Sequence, residues 1–405
     1  MSQATRRLIL QGAGIAAAAL AAPTFIRSAS ATSKVRVASL LALSGPFAGI
    51  GKPAEPAVRL AFTAGAREFG VDAELMMIDG EGNPGRALPK IIAAANDGVR
   101  LFSGAVISTV GLALSAEAEK AGGLYVASIG ADEVTGSQCR RSTFRWPVPS
   151  YGAIQQTVRP MIEAHPQAKR WYTITPKYVF GETLLKHAKD IFSEKGIEHV
   201  GNSFHSLTEN EFSSHVANIA AAKPDVLLML NFGNQANNTL RQMAAFGLKP
   251  RMKILMAWAT GLEQYQEIGS DTLEGVYLGC QYDHAIDAPG NRRIVELFKR
   301  ELGVVPSYTM VNGYIVNELI FRGIKAAGSS EPQAVIKALE GLEYDGPTGT
   351  EMVQAFDHQV AKAYFLLKGK SKAAKRFEED YVDIVSSGRS FLGPEQSECK
   401  MPPRI

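Results

Sequence analysis

The amino-acid sequence predicts an α/β protein of two successive halves, each a parallel sheet with helices on both faces. Three observations carry this. Apolar runs of strand length alternate with helix-patterned segments at roughly 25- to 35-residue intervals, the rhythm of βα units feeding a parallel sheet. The rhythm breaks at Phe144-Arg145-Trp146-Pro147-Val148-Pro149-Ser150, where two prolines favour an extended crossover, and then resumes. The chain has 405 residues, more than one hydrophobic core usually organises.

The first 31 residues stand apart. Thr5-Arg6-Arg7-Leu8-Ile9-Leu10 is a basic segment with a twin arginine, Gly12 to Ala22 is Ala-rich and weakly apolar, and Ala29-Ser30-Ala31 has the small-residue cleavage pattern. Together they read as a cleaved twin-arginine export signal. The apolar run is short and interrupted by Pro23 and Arg27, which disfavours a membrane anchor. The formal charge of +3 equals the signal's three arginines, so the mature chain would be neutral. No basic block or aromatic–basic stripe suggests nucleic acid. Export without a second long apolar run predicts a soluble periplasmic protein.

The first half starts with a strand, Val35 to Leu43, ending in the tight loop Ser44 to Gly51. A helix opened by Pro53 follows, with apolar residues at helical spacing. Ala73 to Ile78 is the second strand and Asp79 to Gly85 a turn cluster. A helix spans Ala87 to Asn96. Val99 to Asp132 then holds two strand–loop units in a row. Val99 to Phe102 leads to Gly104, Ser108 and Thr109; Leu124 to Ala127 leads to Ser128-Ile129-Gly130-Ala131-Asp132. In an open parallel sheet ligands bind outside the carboxyl ends of the strands. Hydroxyls and free N–H groups at a helix start suit an anion, so these loops suggest a pocket for a small carboxylate. Ser108, Thr109 and Asp132 also fit plain helix caps.

The second half alternates in the same way. Strands are expected at Trp171 to Thr175, His199 to Phe204, Asp225 to Leu230, Lys253 to Trp258 and Gly275 to Tyr282, separated by helices. Loop Asp283 to Gly290 reads as a second crossing. Helices at Arg292 to Leu302, Ser307 to Ala327 and Glu331 to Leu339 follow, and Tyr344 to Gly349 reads as a third crossing. Two strands come next, Glu351 to Phe356 and Ala361 to Leu367. The expected division is a signal at 1–31, one lobe from 32–149 with 283–343, the other from 150–282 with 344–369, and a charged wrap at 370–405. Several crossings between two lobes make a hinge with a cleft.

Three cysteines in an oxidising compartment permit one disulfide. Cys139 and Cys399 lie in polar, loop-like surroundings and are the expected pair; Cys280 lies in a strand-like run.

The sequence carries little that suggests catalysis. Gly49-x-Gly51-Lys52 fails as a phosphate loop because Pro46 and Pro53 occupy positions that need Gly and Ser or Thr. There is no nucleophile elbow, no paired carboxylates and no zinc spacing among the histidines. Neither an enzymatic role nor a cofactor or metal is expected.

At this point the chain resembles a known family. Ser44-Gly45-Pro46-Phe47-Ala48-Gly49-Ile50-Gly51 is similar to the S-G-P-x-A-x-x-G loop of branched-chain amino-acid type solute-binding proteins, the receptors of ABC importers related to the leucine/isoleucine/valine-binding protein. Asp79 to Pro84, Gly104 to Thr109, Ser128 to Asp132, Phe180-Gly181 and Phe246-Gly247-Leu248 follow in the family's order. The resemblance covers nearly all of Lys34 to Leu367. It implies a Venus-flytrap fold, the type I periplasmic binding protein, with three hinge strands. It also implies one ligand held between the lobes and a membrane permease as partner. The protein is expected as a monomer.

By the same resemblance Ser108 and Thr109 would hold a ligand carboxylate, and Gly130 and Ala131 would offer backbone groups. Asp132 stands where the family often has Thr. Phe180 would face the ligand from the second lobe, with Tyr178, Phe232 and Trp258 lining that wall and Gln281 near a hinge. The family's amino-acid receptors place a carboxylate after the strand at Lys253–Ala257; here Ala257-Trp258-Ala259-Thr260 has none before Glu263. The missing acid and aromatic wall lean toward an aromatic or aliphatic acid, whereas Asp132 leans toward an ammonium or a hydroxyl. Rival readings are a secreted α/β hydrolase or amidase, and a ligand-sensing receptor domain.

Overall fold

The computed structural model describes residues 34–401, so the export-signal reading lies outside the described residues. The first half runs β1 (Val35–Leu41), α1 (Ala48–Leu60), a π-helical turn (Ala61–Gly65) and α2 (Ala66–Glu68). It continues with β2 (Ala73–Asp79), α3 (Pro84–Asn96), β3 (Leu101–Gly104), α4 (Ser108–Lys120), β4 (Leu124–Ala127) and β5 (Thr143–Arg145). These strands form one sheet in the order β2-β1-β3-β4-β5, all parallel. β3 and β4 are buried along their whole length, as strands covered on both faces must be. Local signals agree. Asn83 caps α3 by accepting from the Gly85 N–H at 2.8 Å, with Pro84 in the first turn, where its missing N–H costs nothing.

The second half runs α5 (Ser150–Ala164), β6 (Arg170–Pro176), α6 (Val179–Lys195), β7 (Glu198–His205) and α7 (Ser213–Ala222). It continues through β8 (Val226–Met229), α8 (Gly233–Ala245), β9 (Lys253–Met256), α9 (Leu262–Ile268), α10 (Ser270–Leu273) and β10 (Tyr277–Cys280). The chain returns to the first lobe as α11 (Pro289–Leu302), α12 (Tyr308–Ala327) and α13 (Pro332–Leu339). A small antiparallel sheet follows, β11 (Glu343–Gly346), β12 (Gly349–Val353) and β13 (Val360–Ala361), before β14 (Tyr364–Gly369) and β15 (Val382–Gly388). The second sheet has the order β15-β14-β10-β9-β8-β6-β7. Its β6 to β10 core repeats the strand order of the first sheet. In both, neighbouring strands diverge at one point, between β1 and β3 and between β6 and β8. Crevices at such points are where open α/β sheets bind ligands.

Three differences from the sequence reading have physical causes. Tyr344–Gly349 is the turn of the β11–β12 hairpin, with Gly349 at φ +103°, and not the third crossing. Gly346 pairs with Gly349 across Pro347-Thr348, so the chain reverses locally and enters the second sheet only at β14. That sheet is mixed and not wholly parallel, because β14 enters from the hinge antiparallel to β10. The segment expected to wrap the outside carries β15, which pairs antiparallel with β14 at the sheet's edge.

The crossings are stitched together side by side. Gln281 accepts from the Val148 N–H at 2.9 Å and donates to its carbonyl at 3.0 Å. Lys362 is fully buried and donates to the Gln281 carbonyl at 2.9 Å, with its ammonium 4.3 Å from the Trp146 ring centre. The Gln359 side-chain amide donates to the Pro147 carbonyl at 2.9 Å. A disulfide joins Cys139 to Cys399 with Cα atoms 5.5 Å apart, and Cys280 is a buried free thiol.

Candidate functional site

A cavity of about 60 Å³ lies between the lobes at the two strand-order crevices. That is room for a few waters or one compact ligand and excludes a peptide. The first lobe's contribution comes from strand ends. Leu41 ends β1, Gly104 ends β3 with Ala105 and Val106 following it, and Ser128 and Gly130 follow β4. Ser108 stands in the first turn of α4, where backbone N–H groups have no partner inside the helix, and its side chain is 2% exposed. Ile50, Ala54 and Val58 of α1 close one side.

The second lobe supplies an aromatic wall, again from residues just past strand ends. Tyr178 and Phe180 follow β6, Phe232 follows β8 and Trp258 follows β9. Phe180 packs edge-on to Trp258 at 5.0 Å and to Phe232 at 5.7 Å, so each ring is held by its neighbours. Burial drives the Tyr178 phenol well above its ordinary pKa, so it stays a protonated donor, and it reaches the Ser108 side chain across the cleft.

The lobes touch. Phe47 of the first lobe stacks on Phe232 at 6.3 Å. A Cβ added to Gly130 would lie 2.5 Å from Phe180 and 2.7 Å from Trp258, so only glycine permits this approach. The arrangement is the closed one.

No charged side chain lines the cavity. Its polar groups are the hydroxyls of Ser39, Ser108, Ser128, Tyr178, Thr260, Tyr308 and Thr309, with the Asn312 amide. The acid beyond Trp258, Glu263, meets the Thr309 hydroxyl at 3.5 Å and does not itself line the cavity; burial raises its pKa.

The structure therefore brings together Ser108, Gly130, Tyr178, Phe180, Phe232 and Trp258 and leaves out the other sequence candidates. Thr109, one step round α4 from Ser108, is exposed. Ala131 is fully buried, and its carbonyl accepts from Arg145. Gln281 is the hinge clamp. Asp132 turns away: one carboxylate oxygen meets His187 of α6 at 2.5 Å and the other accepts from the Tyr151 N–H at 3.2 Å. Successive extended residues face opposite sides, so a loop that aims Gly130 at the cavity aims Ala131 at the core, and a 3₁₀ turn over Asp132–Val134 then redirects the chain. Sequence reading missed Ser128, Thr260 and one face of α12, made by Tyr308, Thr309, Asn312, Gly313 and Val316. The available signal was polar Thr309 and Asn312, three residues apart in a stretch, Tyr308 to Val316, whose other residues are apolar, aromatic or glycine.

Two lobes that close on an aromatic-walled cavity between strand ends are the arrangement of a hinged ligand-binding protein. The sequence matches the periplasmic binding protein family over residues 34–374, and the chain belongs to that family. Family membership implies a periplasmic location, and no helix among the described residues is long and apolar enough to cross a membrane.

An amino acid ABC transporter substrate-binding protein of Pseudomonas fluorescens Pf-5 is similar in structure. It has a TM-score of 0.86 and 48% identity, with 90% of this chain and 98% of that one covered. The Leu/Ile/Val-binding protein homolog 4 of Brucella abortus is 25% identical, over 96% of this chain and 97% of its own. A solute-binding protein of R. palustris solved with benzoate shares the fold, with a TM-score of 0.79 at 22% identity, 91% of this chain and 99% of that one being covered.

Proposed function

We propose that this protein is the periplasmic receptor of an ABC importer. It would capture a small carboxylate whose body is uncharged and present it, with the lobes closed, to a membrane permease. The observation that carries the ligand class is the cavity lining: hydroxyls and helix N–H groups at one end, aromatic rings along one wall, and no charged side chain. Neutral donors and a helix start hold a carboxylate, and rings hold an apolar body. An ammonium group would find no carboxylate partner there, and unpaired charge is costly to bury. A ligand that bridges both walls favours the closed state by its differential affinity for it. Export through the twin-arginine segment at residues 1–31 fits this role.

A second reading is an amino-acid ligand. Two observations favour it: the 48% identical relative is an amino acid ABC transporter substrate-binding protein, and Glu263 lies directly behind Thr309. A thermal-shift and calorimetric screen separates the two readings. Benzoate, 4-hydroxybenzoate, hexanoate, leucine and phenylalanine are the probes. Simple acids are expected to raise the melting temperature by mass action and amino acids to do so weakly. Ser108→Ala is expected to cost a bound acid about 2 kcal/mol, roughly 30-fold in affinity. Stabilisation by leucine or phenylalanine alone would establish the second reading, and turnover of a bound compound would overturn both.

A further inference from the structure

The cavity does not stop at the cleft. It continues into the first lobe, where α1 and α12 pack against each other, and its inner walls are Leu41, Ala54, Val58, Gly313 and Val316. Every one of these is apolar or lacks a side chain. One group breaks the pattern. Asn312 lines the same cavity, and its Oδ1 is buried without a hydrogen-bond partner. Among the described residues it is the one side chain lining this cavity in that condition.

The other polar groups nearby are engaged. The Ser39 hydroxyl accepts from Ser103 at 2.9 Å, and Thr309 meets Ser307 at 2.9 Å and Glu263 at 3.5 Å. The neighbouring Asn317 is also satisfied, through Ser103 at 2.7 Å and the Gly313 carbonyl at 2.8 Å. A buried carbonyl left unmade costs more than a typical hydrogen bond contributes. Such orphans are rare in folded proteins and call for a partner. Because the Asn312 amide belongs to the cavity wall, a ligand seated there can supply that partner.

Ser108 and Asn312 stand on opposite sides of the first sheet's mouth. Ser108 opens α4, which packs with α3; Asn312 sits on α12, which packs with α1 and α13. We infer that the ligand is bipolar in hydrogen bonding. Its carboxylate lies at Ser108, its apolar body lies between the aromatic wall and α1, and a hydroxyl or N–H at its far end donates to Asn312. Asn312 is thus the specificity-determining residue that separates a hydroxylated acid from its unsubstituted parent. A site built to bond a ligand hydroxyl rejects the analogue that lacks it far more sharply than an apolar pocket rejects an added methylene. This inference rests on the carboxylate reading above and adds the far end of the ligand to it.

The test uses paired probes: benzoate with 4-hydroxybenzoate, hexanoate with 6-hydroxyhexanoate, and phenylalanine with tyrosine. Each is titrated by calorimetry into wild type, Asn312→Leu and Asn312→Ala. In wild type the hydroxylated member of at least one pair is expected to bind tenfold or more tightly than its parent. In both variants that ratio should fall to within about threefold of one. The ratio is internal to each variant, so a general loss of affinity leaves it readable, and the alanine variant serves if the leucine variant does not fold. A ratio that survives in both variants overturns the inference. So do parent and hydroxylated members that bind equally in wild type, a result that leaves the carboxylate reading standing. If none of the six compounds binds, the carboxylate reading itself falls, and this inference with it.

Discussion

The cleft and the hinge of this protein handle polarity in opposite ways. The ligand cavity is lined by hydroxyls, one amide and aromatic rings, with no charge. Beside it a larger cavity of about 400 Å³ borders the hinge, and its walls carry Asp132, Glu133, Arg145, Lys186, His187 and Asp357. Arg145 is 1% exposed and donates to the Gln359 side chain at 2.6 Å, to Thr135 and to the Ala131 carbonyl; burial pulls its pKa down to about 10. Lys362 is held to about 8 by the same cause. Buried cations suit the hinge because their partners lie on the crossing segments themselves, Gln359 for Arg145 and the Gln281 carbonyl for Lys362. On the proposed carboxylate reading, the cavity would hold the ligand's charge with neutral dipoles, which need no counter-charge when the ligand leaves.

The contrast predicts that geometry governs the cleft. The largest effect is expected at Gly130, where a side chain would collide with Phe180 and Trp258 as the lobes meet. Gly130→Val should reduce affinity for any bound acid at least 100-fold in calorimetry, and Gly130→Ala about 30-fold, since each blocks a state that the ligand needs. The melting temperature of the unliganded protein should stay close to that of wild type, because open lobes leave room. Unchanged affinity in Gly130→Val would show that closure does not pass through this contact.

A smaller effect is expected at Asp132, which belongs to the hinge side of the comparison. Its bond to His187 joins the two lobes and is partly buried. Asp132→Asn should weaken every ligand by about fivefold, near 1 kcal/mol, whether the ligand is a simple acid or a zwitterion. A loss confined to zwitterions would instead bring Asp132 into the cavity as an ammonium partner.

Much of this architecture is written in local periodicity, and the parts that were not had specific reasons. The long strands and helices of both halves follow apolar patterns that need no tertiary context. β5 has three residues and β13 two, too short for alternation to register, and β15 is half exposed in a charged stretch. Ser108 was placed at the cavity wall by its position at a strand–helix junction together with the family resemblance, since a plain helix cap fits the same residue. The Tyr308–Val316 face was not, because a helix beyond the second lobe returns to complete the first lobe's pocket, and its aromatic and small residues look like ordinary core. Asp132 was misplaced for the opposite reason: adjacency to Gly130 in sequence suggested adjacency in space, and a single 3₁₀ turn undid it.

The last effect concerns pH and tests the hinge half of the contrast directly. Burial raises the Asp357 carboxyl from 3.8 to about 6, partly offset by the Gln359 N–H at 3.0 Å and by the Arg145 charge. Between about pH 4 and pH 6 the folded protein therefore keeps a proton that the unfolded chain gives up. Linkage then makes the group's contribution most favourable below pH 4, and it is lost as pH rises through 6, an effect of up to about 3 kcal/mol before relaxation reduces it. Asp357→Asn keeps the shape and the acceptor and removes the titration. Relative to wild type, its melting temperature should rise by about 2 to 3 °C between pH 4 and pH 7, read from thermal melts at fixed ionic strength. A difference that is flat across that range would mean the carboxylate is ionised in the fold and compensated as fully as it is in water. The hinge would then tolerate buried charge through pairing alone, and the division of labour between a neutral cleft and a charged hinge would rest on the cleft's lining by itself.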